Sequence, residues 1–375
     1  MKKIIIVSTV PNLFKKVLKG QPRLLSRTHE IILVSSDGVQ EYANCEGVRA
    51  KVVEIRRNIS IFRDILSLFN LTIFFYQEKP DIVHSFTPKA GFICSLASFL
   101  ARVPVRVHTF TGLIFPTSRG LKRLLLQFLD SVTVKLNTNI VCEGRGVWNQ
   151  LVSSGFKDHK FNIIGNGNIA GVDLDYYNPS LELNDLPSIS NIDNNVTILA
   201  FIGRLNKDKG IYELIDAFEM LTEIVDARLL VLGDVDCSNP ICDDLLAKIN
   251  NNEKIFRFGF NDDIRSFLRV SDWLVLPSYR EGFPNVVLEA GAMNVPAIVT
   301  DIPGSNEIIE NGFNGFIIPS KSKNDLKDCM LEVISLPSDK YNEMCINARN
   351  NICNKYERKA YQSKLLKFYE GLLLK

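Results

Sequence analysis

The sequence predicts an α/β protein made of two doubly wound parallel-sheet domains. Three observations carry that prediction. Short, near-continuous apolar runs alternate with longer segments of helical period along the whole chain. The length, 375 residues, is too great for one ordinary core and suits two. A stretch rich in Asn, Asp, Ser and Pro, residues 177–195, interrupts the pattern once, and the pattern then restarts.

In the first half, the runs at 4–8, 31–35, 52–55, 82–84, 106–109, 139–142 and 161–164 read as strands. Helical period fills 12–26, 61–77, 90–101, 120–135 and 146–154. In the second half, strands are expected at 197–202, 228–232, 255–258, 273–276, 297–300 and 315–318. Helices are expected at 209–222, 241–250, 264–270, 284–292, 323–334 and 340–352, with a last one over about 357–373. Uninterrupted apolar strands joined through helices indicate sheets covered on both faces. The domain boundaries follow: 1–178, a linker at 179–196, 197–352, and a terminal helical segment at 353–375. In such pairs a ligand is expected at the carboxyl ends of the strands, in a cleft between the domains.

The composition, 46% hydrophobic and 23% charged, excludes a disordered, collagenous or coiled-coil chain. The formal charge of +2 gives no bulk attraction for nucleic acid. That sum hides a division. Residues 1–178 hold 23 basic and 13 acidic side chains, a net +10, and the remainder hold 21 and 29, a net −8. The halves therefore face different partners. None of the eight cysteines forms a CxxC or a zinc-type spacing, which points to reduced thiols in a cytosolic protein. The start MKKIIIVSTV imitates a signal peptide, but Pro11, Asn12, Lys15 and Lys16 follow without a cleavage site, so a buried first strand fits better. Residues 59–76 come closest to a membrane span. Arg63 and Asp64 interrupt them, and an amphipathic or buried helix is the better reading.

A nicotinamide-binding domain would need G-x-G-x-x-G after the first strand. The turn there, Thr9-Val10-Pro11-Asn12, has no glycine. Two other turns carry chemistry. In the first, the strand ending DWLVLP leads through Ser278-Tyr-Arg-Glu281-Gly282-Phe283-Pro284-Asn285 into a helix beginning at Pro284 and holding Glu289. A helix start at the end of a parallel strand offers free N–H groups to a phosphate. Glu281 and Glu289, roughly 9–12 Å apart on a helical rise, suit the two ends of a diphosphate ligand. The same spacing also suits a capping carboxylate and a salt-bridged one. In the second turn, Gly203-Arg204 and Lys209-Gly210 follow the strand TILAFI. Arg204 as a fork and Lys209 as a point charge can neutralise a diphosphate, or can be solvated surface cations. Asp234 and Asp236 spell DVD, but within GDVDCSNP, which reads as a turn.

G-R-x-x-x-x-K-G followed by E-G-F-P-x-x-x-x-E-A resembles the retaining glycosyltransferases of family four, which have the GT-B fold. The resemblance spans nearly the whole chain. His84-Ser-Phe-Thr-Pro88-Lys89-Ala-Gly91 and Val107-His108-Thr-Phe-Thr-Gly112 are similar to the subgroup that builds bacterial capsule, O-antigen and lipopolysaccharide units. The resemblance implies two Rossmann-like domains, with the last helix packing back on the first. It implies donor binding by Gly203, Arg204, Lys209, Glu281, Gly282, Phe283, Pro284, Asn285 and Glu289, with backbone amides of 282–285 near phosphate and sugar. It implies catalytic contacts from Glu281 and His108. His84, Lys89 and Gly112 would lie at the acceptor or in the cleft.

The implied reaction moves a sugar, an N-acetylated hexosamine or related hexose, from a nucleotide diphosphate donor of the UDP type to a lipid-linked (polyprenyl diphosphate) saccharide, with retention. No metal or other cofactor is expected, because cations and a helix start stabilise the leaving diphosphate. Nucleic acid is not an expected partner. The basic first domain suggests peripheral attachment to the inner face of the bacterial cytoplasmic membrane. Lys15, Lys16, Lys19, Arg23 and Arg27 lie among Phe14, Leu18, Leu24 and Leu25, and Arg119, Lys122 and Arg123 precede LLLQFL. Solvated basic helix faces would look the same. Rival functions are a sugar-nucleotide epimerase or hydrolase of this fold, or a non-catalytic sugar-nucleotide sensor.

Overall fold

The computed structural model describes residues 1–56, 60–183, 196–237 and 239–374. They form two compact units. The first comprises Met1–Gly171 and Arg358–Lys375, and the second Val172–Glu357.

The first unit holds seven parallel strands: β1 (Lys3–Val7), β2 (Glu30–Ser35), β3 (Arg49–Val52), β4 (Ile82–Phe86), β5 (Val105–Phe110), β6 (Asn139–Cys142) and β7 (Phe161–Asn162), in the order β3-β2-β1-β4-β5-β6-β7. The second holds six: β8 (Thr197–Ile202), β9 (Ala227–Leu232), β10 (Ile255–Phe258), β11 (Trp273–Leu276), β12 (Ala297–Thr300) and β13 (Gly315–Ile318), in the order β10-β9-β8-β11-β12-β13. All are parallel, as buried apolar runs separated by helices require. Each sheet winds outward in both directions from its first strand. The strand order therefore reverses between β1 and β4, and again between β8 and β11, and such reversals are where doubly wound sheets bind ligands.

The strands of the second unit coincide closely with the apolar runs; β8, β9, β11 and β12 are buried over nearly their whole length, and the edge strands β10 and β13 are partly buried. Differences occur where burial is not the deciding force. β3 is RAKV at the sheet edge, mostly exposed, and it overlaps the expected run at 52–55 only at Val52. Val53 and Ile55 are core residues just beyond it. The expected helix at 12–26 is two short helices, Asn12–Lys16 and Gln21–Leu25. Gly20 adopts a left-handed φ of 78° between them, and Pro22 could not sit inside a continuous helix. A helix at Val39–Glu46, flanked by the left-handed Gly38 and Gly47, was not expected.

The expected domain boundary moves. Residues 172–178 belong to the second unit, not the first. Val172 N–H donates to Tyr356 O at 2.8 Å, and Tyr177 is buried in the second core. Residues 353–357 also stay with the second unit. Most of the expected linker, 184–195, lies outside the described residues. The helix Arg358–Leu373 returns to the first unit, where Tyr361, Leu365, Tyr369 and Leu372 join the core around Ile4, Ile6 and Phe86.

One surface expectation fails. Phe14, Leu18 and Leu25 are buried in the first core, so the basic stretch 15–27 has little apolar surface to offer. No helix among the described residues is long and apolar enough to cross a membrane.

Candidate functional site

In the second unit the two motif turns meet. β8 and β11 are neighbours, with Trp273 opposite Leu199, so the turns leaving their carboxyl ends lie side by side. The turn after β8 forms a tight 3-10 helix, Lys207–Lys209. Asn206 caps it by accepting from Lys209 N–H at 3.1 Å. Gly210 ends it with φ +69°, and a Cβ there would lie 2.0 Å from Pro277 O. Only glycine lets this turn pack on the β11 turn. Tyr279 N–H donates to Asp208 O at 2.8 Å, and Arg280 pairs with Asp208 at 2.8 Å, fastening the two turns together.

That packing delivers Lys209 to Glu281. The Lys209 ammonium donates to Glu281 Oε1 at 2.6 Å, and both side chains are largely withdrawn from water. Ser278 Oγ donates to the same oxygen at 2.6 Å. The Ser278 carbonyl accepts from Thr300 Oγ1 at 2.5 Å. The carboxylate is thus held by one charged and one neutral donor, and the second is itself fixed by its neighbour strand β12. An ion pair so withdrawn is costly to break by removing one partner. A Cβ on Gly203 would make ordinary contact with Phe201 Cζ at 3.6 Å and Lys209 Cε at 3.8 Å, so the lysine stem passes directly over this glycine.

Arg204 stands apart from this pair. Its Nη1 donates to Asp236 Oδ2 at 2.6 Å, and the same carboxylate oxygen accepts from Asn206 Nδ2 at 2.9 Å. Asp234 Oδ1 accepts from Phe260 N–H at 3.2 Å. The DVD letters are therefore a turn whose carboxylates serve Arg204 and a backbone amide. No cluster suited to a metal ion occurs among the described residues.

The helix after β11 runs Asn285–Ala292, with Pro284 as its N-cap rather than its first residue. Phe283 is buried and its ring packs 5.5 Å from that of Tyr356, so its side chain belongs to the core, leaving only its backbone to a ligand. Glu289 lies near the Tyr177 hydroxyl. Burial, and then this carboxylate, raise the phenol's pKa above its usual range. Tyr177, a core residue beside Glu289, was not singled out from the sequence, because it sits in the stretch assigned to the first domain's end and the linker. Ser278 was quoted in the motif but given no role, although Ser-x-x-Glu spacing is a known capping pattern.

In the first unit, His108 and His84 lie on adjacent strands. His108 faces Ser85 in the register and shares a 3.0 Å hydrogen bond between its Nδ1 and Ser85 Oγ. Its ring lies edge-on to Phe110, and the side chain is 1% exposed. Gly91, in the helix Pro88–Leu100, makes room for it: a Cβ there would be 2.3 Å from the imidazole. His84 uses both ring nitrogens internally, on Tyr369 Oη at 2.5 Å and Thr109 Oγ1 at 2.7 Å. It is a packing residue in this arrangement. Burial lowers both imidazoles to a pKa of about 3, with His108 adding to the effect on His84, so both are neutral at ordinary pH. Lys89 pairs with Asp64 at 2.6 Å. Gly112, two residues beyond β5, adopts φ +107°. At the strand-order reversal, Thr9 and Thr87 share a 2.7 Å hydroxyl contact, and Thr87 holds a positive φ of 69° that a β-branched residue rarely adopts.

Two Rossmann-like units, one presenting a cation–carboxylate pair at its strand-order reversal, match the arrangement expected of a GT-B glycosyltransferase. Comparison with known proteins agrees. Residues 184–351 match the family model for glycosyl transferases group 1, and residues 22–167 match a glycosyl transferase 4-like domain. The chain is 30% identical over 363 residues to the capsular polysaccharide biosynthesis glycosyltransferase CapM of Staphylococcus aureus, covering 95% of this chain and 94% of that one. It is 31% identical over 332 residues to an Escherichia coli UDP-Gal:alpha-D-GlcNAc-diphosphoundecaprenol alpha-1,3-galactosyltransferase, covering 86% and 84%. Among solved structures, a Rickettsia africae glycosyltransferase superposes with a TM-score of 0.77 at 21% identity over 99% of this chain and 98% of that one. Anabaena HepE in complex with UDP does so at 0.76 and 17%, over 99% and 100%. The chain belongs to glycosyltransferase family four.

Proposed function

We propose that the protein transfers a hexose or N-acetylated hexosamine from a UDP-linked donor to a saccharide carried on polyprenyl diphosphate, with retention at the anomeric carbon, in bacterial surface polysaccharide synthesis. The observation that carries this reading is the Lys209–Glu281 pair held at the reversal between β8 and β11. The relatives support the acceptor class: the E. coli protein is named for a diphosphoundecaprenol-linked substrate, as is a Campylobacter jejuni relative 26% identical over 366 residues.

In this reading Lys209 and Arg204 turn from their carboxylates to the donor diphosphate, and the start of the helix at Asn285 adds its free N–H groups. Charge that grows on the departing UDP meets cations already in position. Glu281, released from full pairing, accepts from donor-sugar hydroxyls. Glu289, steadied by Tyr177, accepts from the ribose. His108 is neutral and, on turning from Ser85, offers a hydrogen bond to the reacting sugar rather than a charge. No metal enters the scheme.

The test is transfer of labelled sugar from UDP-glucose, UDP-galactose and their N-acetyl forms to polyprenyl-diphosphate saccharides, with the product anomer read by NMR. Lys209→Ala and Glu289→Ala should each raise the donor KM by about tenfold or more, and transfer should survive EDTA. Unchanged kinetics in both variants would remove the proposed site, abolition by EDTA the metal-free scheme, and an inverted anomer the retention. Donor consumption without an acceptor would favour an epimerase or hydrolase instead.

A further inference from the structure

More than half of the large apolar side chains exposed among the described residues lie on three helices of the first unit. The helix Ile61–Glu78 packs on Pro88–Leu100, which packs on Gly120–Leu136, so the three form one layer. The first is apolar on two sides. Leu71, Phe74 and Phe75 face the core, while Ile61, Phe62, Ile65, Leu66, Phe69, Ile73 and Tyr76 are exposed, Phe62 to 90%. In the third, Leu121, Leu124, Leu125 and Phe128 are exposed at helical spacing. A helix in water has no use for two apolar faces, and a patch of this kind marks a surface that something covers.

Two further observations say what covers it. The exposed residues crowd the first halves of both helices. In a parallel unit those halves begin at the carboxyl ends of the strands, the rim that carries Gly112. Charge gives the second clue. Arg119, Lys122 and Arg123 are exposed at the start of the third helix, without a carboxylate partner among the described residues, and no acid lies in that helix's first turn. Cations at a helix N-terminus oppose its dipole, and an external anion relieves that opposition.

We propose that this layer docks on an anionic phospholipid surface, burying Phe62, Leu66, Phe69, Leu124 and Phe128 among acyl chains while Arg119, Lys122 and Arg123 meet phosphate headgroups. The inference rests on the lipid-linked acceptor proposed above and places the membrane beside the rim where such an acceptor would be read. The docking surface is thus the helical layer, not the basic stretch at 15–27.

The experiment is co-sedimentation of the full chain with vesicles of phosphatidylcholine alone or mixed with phosphatidylglycerol. Wild type is expected to bind the mixed vesicles and to release at high salt. F62S/F69S/F128S should bind at least about tenfold more weakly, and K122E/R123E should lose the preference for phosphatidylglycerol. Both sets are exposed, so the melting temperature should hold. Turnover on a water-soluble acceptor should hold too, while turnover on a vesicle-embedded acceptor falls. Variants that bind vesicles like wild type overturn the proposal, and so does a lipid-free dimer that the same apolar substitutions dissolve. Loss of transfer to every acceptor with vesicle binding intact would count against the acceptor reading, not against docking.

Discussion

The two sheets share one winding pattern, yet their strand-order reversals carry opposite chemistry. Between β8 and β11 stand an ammonium and a carboxylate 2.6 Å apart. Between β1 and β4 stand two threonine hydroxyls, with two neutral histidines on the strands alongside. The same backbone frame therefore carries charged side chains at one reversal and neutral ones at the other. The fold supplies the place, and a few side chains supply the class of ligand.

The sharpest way to break that comparison is to challenge His108. His108→Gln keeps a neutral hydrogen-bonding group but moves it, and should cut kcat/KM by about tenfold or more with the donor KM unchanged. Steady-state kinetics with the donor varied will check it. A rise in donor KM instead would place the histidine with the nucleotide.

The next challenge is acid. Both histidines fall from 6.5 to about 3 on folding, so the unfolded chain takes up protons that the folded chain refuses. Their contribution to stability is complete above pH 6.5 and is lost as pH falls toward 3. Each costs about 1.4 kcal/mol per pH unit within that window. Melting temperatures between pH 7 and pH 5 should fall, and His84→Gln should flatten the fall.

The smallest effect belongs to Tyr177. Tyr177→Phe removes the hydroxyl that lies near Glu289 and should raise the donor KM roughly two- to fivefold, leaving kcat alone. An equal loss in kcat would make it more than a positioning residue.

Legibility in the sequence followed the strength of local constraint. β11 and the turn after it were readable because an apolar strand, a glycine, a proline and two glutamates stand in one short run. β3 was misplaced because an edge strand is specified by backbone pairing rather than burial. The helix Val39–Glu46 was missed although Gly38 and Gly47 mark its ends. The Lys209–Glu281 contact was not readable, since it joins residues 72 apart and depends on Gly210 fitting under Pro277 O. Phe14 and Leu18 looked like membrane-facing residues because a basic helix with an apolar stripe reads the same whether the stripe meets lipid or a sheet.

The return of the helix Arg358–Leu373 sets the order of events at the ribosome. Tyr369 bonds His84, and Leu365 and Leu372 complete the core begun by Ile4 and Ile6. Everything in Val172–Glu357 is synthesised before those residues emerge. The second unit can close on the nascent chain while the first, made earlier, still waits with its core open. A premature stop just after Glu357 would therefore spare the second unit and strand the first, which would be a target for chaperones and proteases.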